Sequence, residues 1–233
     1  MESELQCKSI EENMTKLPFR DRADAGRLLG AELATRVVPE NTTVLALPRG
    51  GVVVGAEVAE ALNAPLDVLV VRKLGVPWQP ELAVGAIAGG SWVIDYQFIS
   101  DLRISNRELE EVIERERREM ARRQKLYRDD LPAPDLCGRT VVLVDDGLAT
   151  GSTMIAAARH VRTVGPRKII VAVPVASSQA FTRLKREVDD YICLAQPEPF
   201  FSVGEWYDDF RQVSDREVQE ILRHHRSPVA TVP

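Results

Sequence analysis

The chain has 233 residues, a formal net charge of −5 at pH 7 and 45% hydrophobic residues. This length suffices for one large domain with a full core, and the charge gives no overall attraction to nucleic acid or anionic membranes. The three cysteines, Cys7, Cys137 and Cys193, are too widely spaced for a disulfide framework, which favours a cytoplasmic protein. Residues 1–4 are acidic where a signal peptide would be basic, and no apolar run reaches membrane-spanning length.

Strand and helix patterns alternate along most of the chain, which predicts an α/β fold with a mostly parallel central sheet flanked by helices. Residues 1–18 and 227–233 are expected to be flexible, leaving one domain over 19–226. The predicted strands are 43–47, 67–71, 141–144, 169–175 and 191–195, with a hairpin formed by 83–88 and 91–95 across Gly89 and Gly90. The predicted helices are 23–34, 52–62, one from 154 onward, 178–187 and one opening at the capping box 214–217.

Residues 103–128 depart from the alternation of strands and helices. They predict one long, highly charged helix that begins at the capping box 105–108. Its arginines Arg115, Arg117, Arg118, Arg122 and Arg123 suggest a nucleic-acid arm. A solvated helix with one narrow apolar seam against the core or a second subunit is the alternative. We favour the seam because glutamates are interleaved throughout. The seam residues are Leu109, Val112, Ile113, Met120 and Tyr127.

The run 141–153 joins a buried strand, a tight turn and the start of a helix. Asp145 and Asp146 end the strand, and carboxylates accept hydrogen bonds from hydroxyl groups. The following loop offers glycines for close approach, hydroxyl donors and the unpaired N–H groups of a helix N-terminus, which together suit a phosphate. The combination predicts a ribose-5-phosphate site; two solvated aspartates in a plain turn are the alternative. The candidate phosphate residues are Gly147, Ala149, Thr150, Gly151, Ser152 and Thr153.

A second candidate anion site, Arg49-Gly50-Gly51, also lies between a predicted strand and a helix. Its glycines permit close approach of backbone N–H groups, and its arginine adds a charged fork. By itself this motif is as typical of a turn that needs glycine as of an anion site. Because the chain also contains the run 141–153, we favour the anion site. Arg72 and Lys73 close the next strand, as a further basic pair or as surface charge.

The run 141–153 resembles the phosphoribosyl-diphosphate (PRPP) signature of the type I phosphoribosyltransferases, and the resemblance covers roughly residues 19–222. The resemblance implies the type I phosphoribosyltransferase fold. It also implies that residues 196–210 form a small hood, a segment outside the core that covers the base. It also implies that Asp145 and Asp146 hold the 2′- and 3′-hydroxyls and that the following loop holds the 5′-phosphate. The chain is further similar to bacterial and archaeal phosphoribosyltransferase-domain proteins whose acceptor does not follow from membership of the family.

The resemblance implies that pyrophosphate is bound by Arg49, Gly50, Gly51, Arg72 and Lys73, and that Lys73 is also a catalytic basic residue. The turn-rich residues 74–80 would then be a mobile lid that keeps water from the sugar cation. Mg²⁺ is the expected cofactor, held mainly by PRPP and water rather than by protein ligands.

The acceptor is expected to be a small nitrogen nucleophile, most simply a nucleobase. Ala149 stands where the 6-oxopurine branch has an aspartate, so the loop is more similar to the adenine branch. That branch suggests Glu81 for proton transfer, with an exposed loop carboxylate as the alternative. The candidate acceptor-binding aromatics are Phe200, Phe201, Trp206 and Tyr207, which could instead pack against the C-terminal helix.

The expected activity is therefore a phosphoribosyltransferase of the nucleotide-salvage kind, a pentosyltransferase that releases pyrophosphate. The alternative is a non-catalytic regulatory protein that binds PRPP or a nucleotide. No membrane partner is expected, the acidic charge argues against nucleic acid, and a homodimer stays open.

Overall fold

The computed structural model describes residues 17–89, 91–128 and 131–225, apart from the side chains of Pro80, Glu81 and Ser91. The predicted flexible ends lie almost wholly outside these residues. The helices are α1 (Arg22–Ala34), α2 (Gly50–Ala61), α3 (Tyr96–Asp101), α4 (Asn106–Arg128), α5 (Ser152–Thr163), α6 (Ser178–Leu184) and α7 (Asp215–His225), with a 3₁₀ turn at Val203–Trp206. The strands are β1 (Thr42–Ala46), β2 (Leu66–Val68), β3 (Val71–Val76), β4 (Gln79–Ala88), β5 (Ser91–Ile94), β6 (Thr140–Val144), β7 (Lys168–Val175) and β8 (Asp190–Ala195).

The central sheet is fully parallel, in the order β2-β1-β6-β7-β8, as the alternating pattern predicts. All five residues of β1 are buried, because helices cover both faces of the sheet. Val142 and Val144 pack with α1 and α2 on one face, whereas Val141 and Leu143 pack with α5 on the other. Since β1 and β6 are neighbours with Ala46 opposite Val144, the loops that follow these two strands emerge side by side.

A small antiparallel sheet, β3-β4-β5, follows β2. The predicted strand 67–71 is wrong as one unit, because the chain leaves the central sheet after Val68 and starts β3 at Val71. The prediction of a turn-rich loop over 74–80 is also wrong. These residues form the β3–β4 hairpin, since Leu74 and Val76 are buried and hold them in the sheet. The predicted hairpin of 83–88 with 91–95 is confirmed by the pairing of β4 with β5.

The long charged helix is confirmed as α4, which begins at Asn106 after a capping box in which the Ser105 hydroxyl and amide donate to Glu108. Its apolar seam is buried at Val112, Met120 and Tyr127. Many of its arginines are paired on the helix itself; Arg122 and Arg123, for example, both bind Glu119. This neutralised surface favours the solvated helix over a nucleic-acid arm. Within the described part of the chain, no helix combines the length and apolar character needed to span a membrane.

Candidate functional site

The two predicted anion loops meet at the carboxyl edge of the central sheet. A Cβ atom added to Gly51 would lie 2.9 Å from the Cα atom of Asp145, and one added to Gly50 would lie 1.9 Å from Oδ2 of Asp146. Both distances are shorter than real Cβ contacts, so only glycine allows the loops to approach this closely. The backbone after β1 thus lies directly against the carboxylates after β6, as one continuous site.

Asp146 forms a buried ion pair with Arg22, the first residue of α1, with Nε 2.7 Å from Oδ2. Arg22 also donates from Nη1 to the carbonyl oxygen of Arg211 at 2.8 Å, and its guanidinium lies 3.8 Å from the ring centre of Phe210. Three contacts therefore fix the cation that faces Asp146. Arg22 is not predictable from the sequence, because one arginine at the start of an amphipathic helix carries no pattern that distinguishes it from surface charge.

The carboxylates of Asp145 and Asp146 repel each other electrostatically. Burial and the neighbouring Asp146 charge hold the pKa of Asp145 well above its usual value, with Arg22 opposing. Burial also raises the pKa of Asp146, although the Arg22 guanidinium lowers it. Asp145 uses Oδ1 to accept the amide N–H of Asp146 at 2.9 Å, and Asp146 uses Oδ2 for Arg22. The second oxygen of each carboxylate accepts no hydrogen bond from another described residue, which leaves two adjacent acceptors for a vicinal diol.

Contacts from β7 and α6 hold the loop between Asp146 and α5. Leu148 donates its amide to the carbonyl of Val175 at 2.9 Å, and Ser177 donates its hydroxyl to the carbonyl of Ala149 at 2.6 Å. Arg183 donates to the carbonyl of Thr150 at 3.1 Å. These bonds use the amide of Leu148 and the carbonyls of Ala149 and Thr150, and they hold the loop in place before a ligand binds.

The N-terminus of α5 completes the candidate phosphate pocket. Gly151 is its N-cap residue with φ +74°, a left-handed conformation that favours glycine, and no side chain caps the helix. The half-buried Ser152 and Thr153 begin the helix, while Thr150 is exposed beside them. A helix N-terminus without an N-cap side chain and with adjacent hydroxyls has the donors that phosphate binding requires.

The predicted hood residues divide into two groups. Tyr207 is buried and donates its hydroxyl to the carbonyl of Asp146 at 2.6 Å, and burial raises the pKa of that phenol, so it stays protonated. Phe200 and Trp206 are half-buried with ring centres 6.2 Å apart, whereas Phe201 is 78% exposed. Tyr207 therefore supports the aspartate from behind, and the other three rings remain candidates for the acceptor.

The hood packs on the start of the domain. Phe200, Trp206 and Tyr207 share a cluster with Phe19 and Val175. This cluster accounts for the burial of the three rings without contact to the C-terminal helix α7 or to a bound nucleobase. The hood also contacts the phosphate loop, because a Cβ atom on Gly147 would lie 2.5 Å from Val203.

The residues predicted to bind pyrophosphate lie on two separate elements, α2 and β3. Arg49 is the N-cap residue of α2, and no side chain caps that helix either, so the N–H groups of Gly50 and Gly51 lie at a second helix N-terminus. Arg72 donates from Nε and Nη2 to Oε2 of Glu116 on α4, at 2.9 and 2.7 Å. Lys73 is exposed. Arg72 and Lys73 are neighbours in β3, so their side chains start from opposite faces of the strand.

Two further predictions concern Glu81, the candidate for proton transfer, and the metal ion. Glu81 belongs to strand β4 rather than to a loop, and its side chain is outside the described residues. Among the described residues, no cluster of three or more His, Cys, Asp or Glu side chains could hold a metal ion. Asp145 and Asp146 offer two oxygens, so a hard cation here would take its other ligands from water and a bound phosphate compound.

Comparison with known proteins identifies the family of the chain. The family model of the phosphoribosyl transferase domain matches residues 24–209. Two Mycobacterium tuberculosis proteins, "Putative phosphoribosyl transferase MT0597" and "Putative phosphoribosyl transferase Rv0571c", are each 44% identical over 210 residues, which make up 89% of this chain and 47% of each relative. The chain thus spans about half the length of these curated relatives.

A solved structure shows the same fold. The crystal structure of TT1426 from Thermus thermophilus superposes with a TM-score of 0.77 at 44% identity, covering 91% of this chain and 100% of that one. From the matched family model and these relatives, the chain belongs to the phosphoribosyl transferase domain family.

Proposed function

We propose that this domain transfers ribose-5-phosphate from PRPP to a nitrogen acceptor, a nucleobase, and releases pyrophosphate. The contact between Gly50–Gly51 and Asp145–Asp146 carries the proposal. It joins acceptors for a ribose diol and two uncapped helix N-termini within one site, which matches a sugar that bears a phosphate on one side and a diphosphate on the other.

The ribose side binds and orients the sugar. The ionised carboxylates of Asp145 and Asp146 accept hydrogen bonds from the 2′- and 3′-hydroxyls, and the start of α5 takes the 5′-phosphate through Gly147 and residues 149–153. Tyr207 and Arg22 hold Asp146 from the backbone and the side chain. This support fixes the anomeric carbon in one place.

The pyrophosphate side stabilises the leaving group. As the bond from C1 to pyrophosphate breaks, its electron pair leaves with pyrophosphate, and positive charge grows on the sugar. Arg49 and the N–H groups of Gly50 and Gly51 face the growing negative charge, and Lys73 adds a cation from β3. Mg²⁺, held by PRPP and water, would supply further charge neutralisation when bound.

The acceptor completes the reaction when its nitrogen lone pair forms the bond to C1 and the nitrogen loses a proton. We assign the base to the hood side, next to Phe200, Phe201 and Trp206, and the proton to Glu81. Ala149 in the phosphate loop supports an adenine-like acceptor over a 6-oxopurine. The cysteine usage supports a cytoplasmic location, as expected for nucleotide salvage.

One observation favours a second candidate, a regulatory protein that binds PRPP or a nucleotide without catalysis. Arg72, a candidate for pyrophosphate, is bonded to the buried Glu116. A site that only senses its ligand needs less charge on the pyrophosphate side.

Calorimetric titration with PRPP and Mg²⁺ tests binding. Asp145→Asn combined with Asp146→Asn should reduce affinity at least about 100-fold while the fold survives, because a neutral amide is a weaker acceptor and its NH₂ group cannot accept at all. Asp190→Asn, which removes a surface partner of Lys168, is the matched control and should bind normally. Unchanged affinity in the double variant would overturn the site.

Pyrophosphate release separates catalysis from sensing. Wild-type protein is incubated with PRPP, Mg²⁺ and a panel of nucleobases and small amines. Release with one acceptor, and its loss in the double aspartate variant, would support the transferase. Binding of PRPP without release for every acceptor would support the regulatory protein.

A further inference from the structure

The exposed side chains of helix α4 separate by charge along its length. All of its exposed carboxylates come before residue 115, and all of its exposed cations except Arg107 come from that residue onward. We call these two groups the acidic segment and the basic segment of α4. The acidic segment comprises Glu110, Glu111 and Glu114, and the basic segment comprises Arg115, Arg117, Arg118, Arg122 and Lys125.

Ion pairs on the helix neutralise only part of this charge. Glu119 binds both Arg122 and Arg123, so one carboxylate faces two cations. Glu110 in the acidic segment and Lys125 in the basic segment form no ion pair with another described residue. Each segment therefore keeps charge of its own sign at the surface.

The helix dipole does not account for this separation. Its field favours acidic side chains in the first turn and basic side chains in the last turn, whereas most of the two segments lies between these turns. Glu110 and Arg122 are roughly 18 Å apart along the axis at about 1.5 Å per residue, and the Debye length at physiological salt is only about 8 Å. The two segments of one helix consequently do not neutralise each other over most of their length.

An exposed tryptophan borders the basic segment. Trp92 is 48% exposed and lies on β5, an edge strand of the small antiparallel sheet. The Arg117 guanidinium lies 5.8 Å from the centre of the Trp92 ring. Tryptophan and arginine are the side chains that most often dominate the binding energy of protein interfaces. This pair therefore adds an apolar contact to the charged surface of α4.

We propose that α4 and Trp92 form the interface of a homodimer, in which α4 packs antiparallel against the same helix of a second copy of this chain. A two-fold axis near the middle of α4 places the acidic segment of each copy against the basic segment of the other, so the surface is complementary to itself. A nucleic acid fits this surface less well, because the adjoining acidic segment repels its phosphates. The interface does not depend on the activity proposed above.

Sedimentation velocity of the wild-type chain, over a series of protein and NaCl concentrations, measures the dimer. We expect a dimer whose dissociation constant rises about tenfold as NaCl approaches about 1 M, where the Debye length falls to about 3 Å. A monomer under every condition would overturn the proposal, whether or not it binds a single-stranded oligonucleotide.

Charge reversal tests which surface is used. The acid-reversed variant, Glu110→Lys with Glu114→Lys, and the base-reversed variant, Arg118→Glu with Lys125→Glu, should each weaken the dimer at least about 100-fold, because like charges then meet. An equal mixture of the two variants should restore a mixed dimer, which native mass spectrometry identifies by its mass. Recovery in the mixture would also show that both variants fold.

Trp92→Ala tests the apolar contact and should weaken the dimer about tenfold. Trp78→Ala, which removes another exposed tryptophan of the same small sheet, should leave the dimer unchanged. Arg216→Glu on α7 is the control for reversal of an exposed charge elsewhere. If a reversed variant does not fold, the comparison of Trp92→Ala with Trp78→Ala still decides. A dimer that withstands both reversed variants, or that loses as much affinity in Trp78→Ala as in Trp92→Ala, would overturn the proposal.

Discussion

The proposed ribose-phosphate half and the proposed pyrophosphate half of the site are held in contrasting ways. The first half lies on one parallel sheet, where Asp146 is fixed through Arg22 and Tyr207 and the phosphate loop through Ser177 and Arg183. The second half is divided between α2 and the separate antiparallel sheet, with Arg72 directed into α4.

This difference suggests separate roles for the two halves in ligand binding. A half-site whose acceptors are fixed before the ligand arrives loses little conformational entropy on binding. The pyrophosphate half has fewer fixed contacts, and one of its candidate cations is already neutralised. We therefore expect the ribose half to determine affinity and the pyrophosphate half to determine discrimination between PRPP and ribose-5-phosphate.

The contact between the halves should be the most sensitive point. Gly50→Ala places a Cβ atom 1.9 Å from Oδ2 of Asp146 and 2.7 Å from Nε of Arg22, so the ion pair must move. We expect PRPP affinity in calorimetry to fall more than about 100-fold, a loss above about 2.7 kcal/mol.

Gly138→Ala is the control for a glycine lost elsewhere. Gly138 has φ +68°, and a Cβ atom added to it would meet no atom within 4 Å, so alanine there adds backbone strain of about 1–2 kcal/mol without a clash. Equal PRPP affinity in Gly50→Ala and wild type would show that the loops do not act as one site.

Arg49→Ala tests the pyrophosphate half alone. Loss of a charged hydrogen bond should weaken PRPP binding roughly 10–100-fold and leave ribose-5-phosphate within about twofold. Arg216→Ala, which removes an exposed partner of Glu220, should alter neither affinity. Equal losses for both ligands would remove Arg49 from the pyrophosphate role.

Arg22→Met tests the support of the ribose half through its pH dependence. Hydroxyl groups donate to ionised carboxylates, so PRPP binding should weaken as pH falls through the raised pKa values of Asp145 and Asp146. Arg22 lowers both pKa values, so its removal should move this transition to higher pH and weaken binding about tenfold at neutral pH.

Arg22→Lys keeps the charge and should restore most of the pH profile. Arg27→Met, on the same helix but in a more exposed pair with Glu57, should leave the profile unchanged. An unshifted pH transition in Arg22→Met would mean that Arg22 only packs against Phe210.

Glu116→Gln should have the smallest effect. Removing the carboxylate charge frees Arg72 in part, so pyrophosphate affinity should rise about threefold if Arg72 reaches the ligand, at a stability cost of about 1–3 kcal/mol measured by urea unfolding. Glu119→Gln on the same helix, paired with Arg122 and Arg123 instead, is the control. No change in affinity would confine Arg72 to a structural role.

The sequence determined the local parts of this protein, because each depends on a short-range pattern. Asp145 and Asp146 at the end of an apolar strand, Gly151 before α5 and the capping box at Ser105 all lie where the sequence indicated. The prediction of a parallel sheet followed from the same alternation. The loop predicted for 74–80 was wrong. Burial of Leu74 and Val76 stabilises the β3–β4 hairpin and outweighs the preference of Gly75 and Pro77 for turns.

Only the tertiary structure decided which of these parts meet. Arg22 lies 124 residues before Asp146, and Arg72 lies 44 before Glu116, so no local pattern could pair them. The adjacency of β1 and β6 brings Gly50 against Asp146, and the return of the chain at 206–209 brings Tyr207 behind it. The physical reason is that backbone preference and hydrophobic periodicity act over one turn or strand, whereas ion pairs and buried hydrogen bonds form between whichever side chains packing brings together.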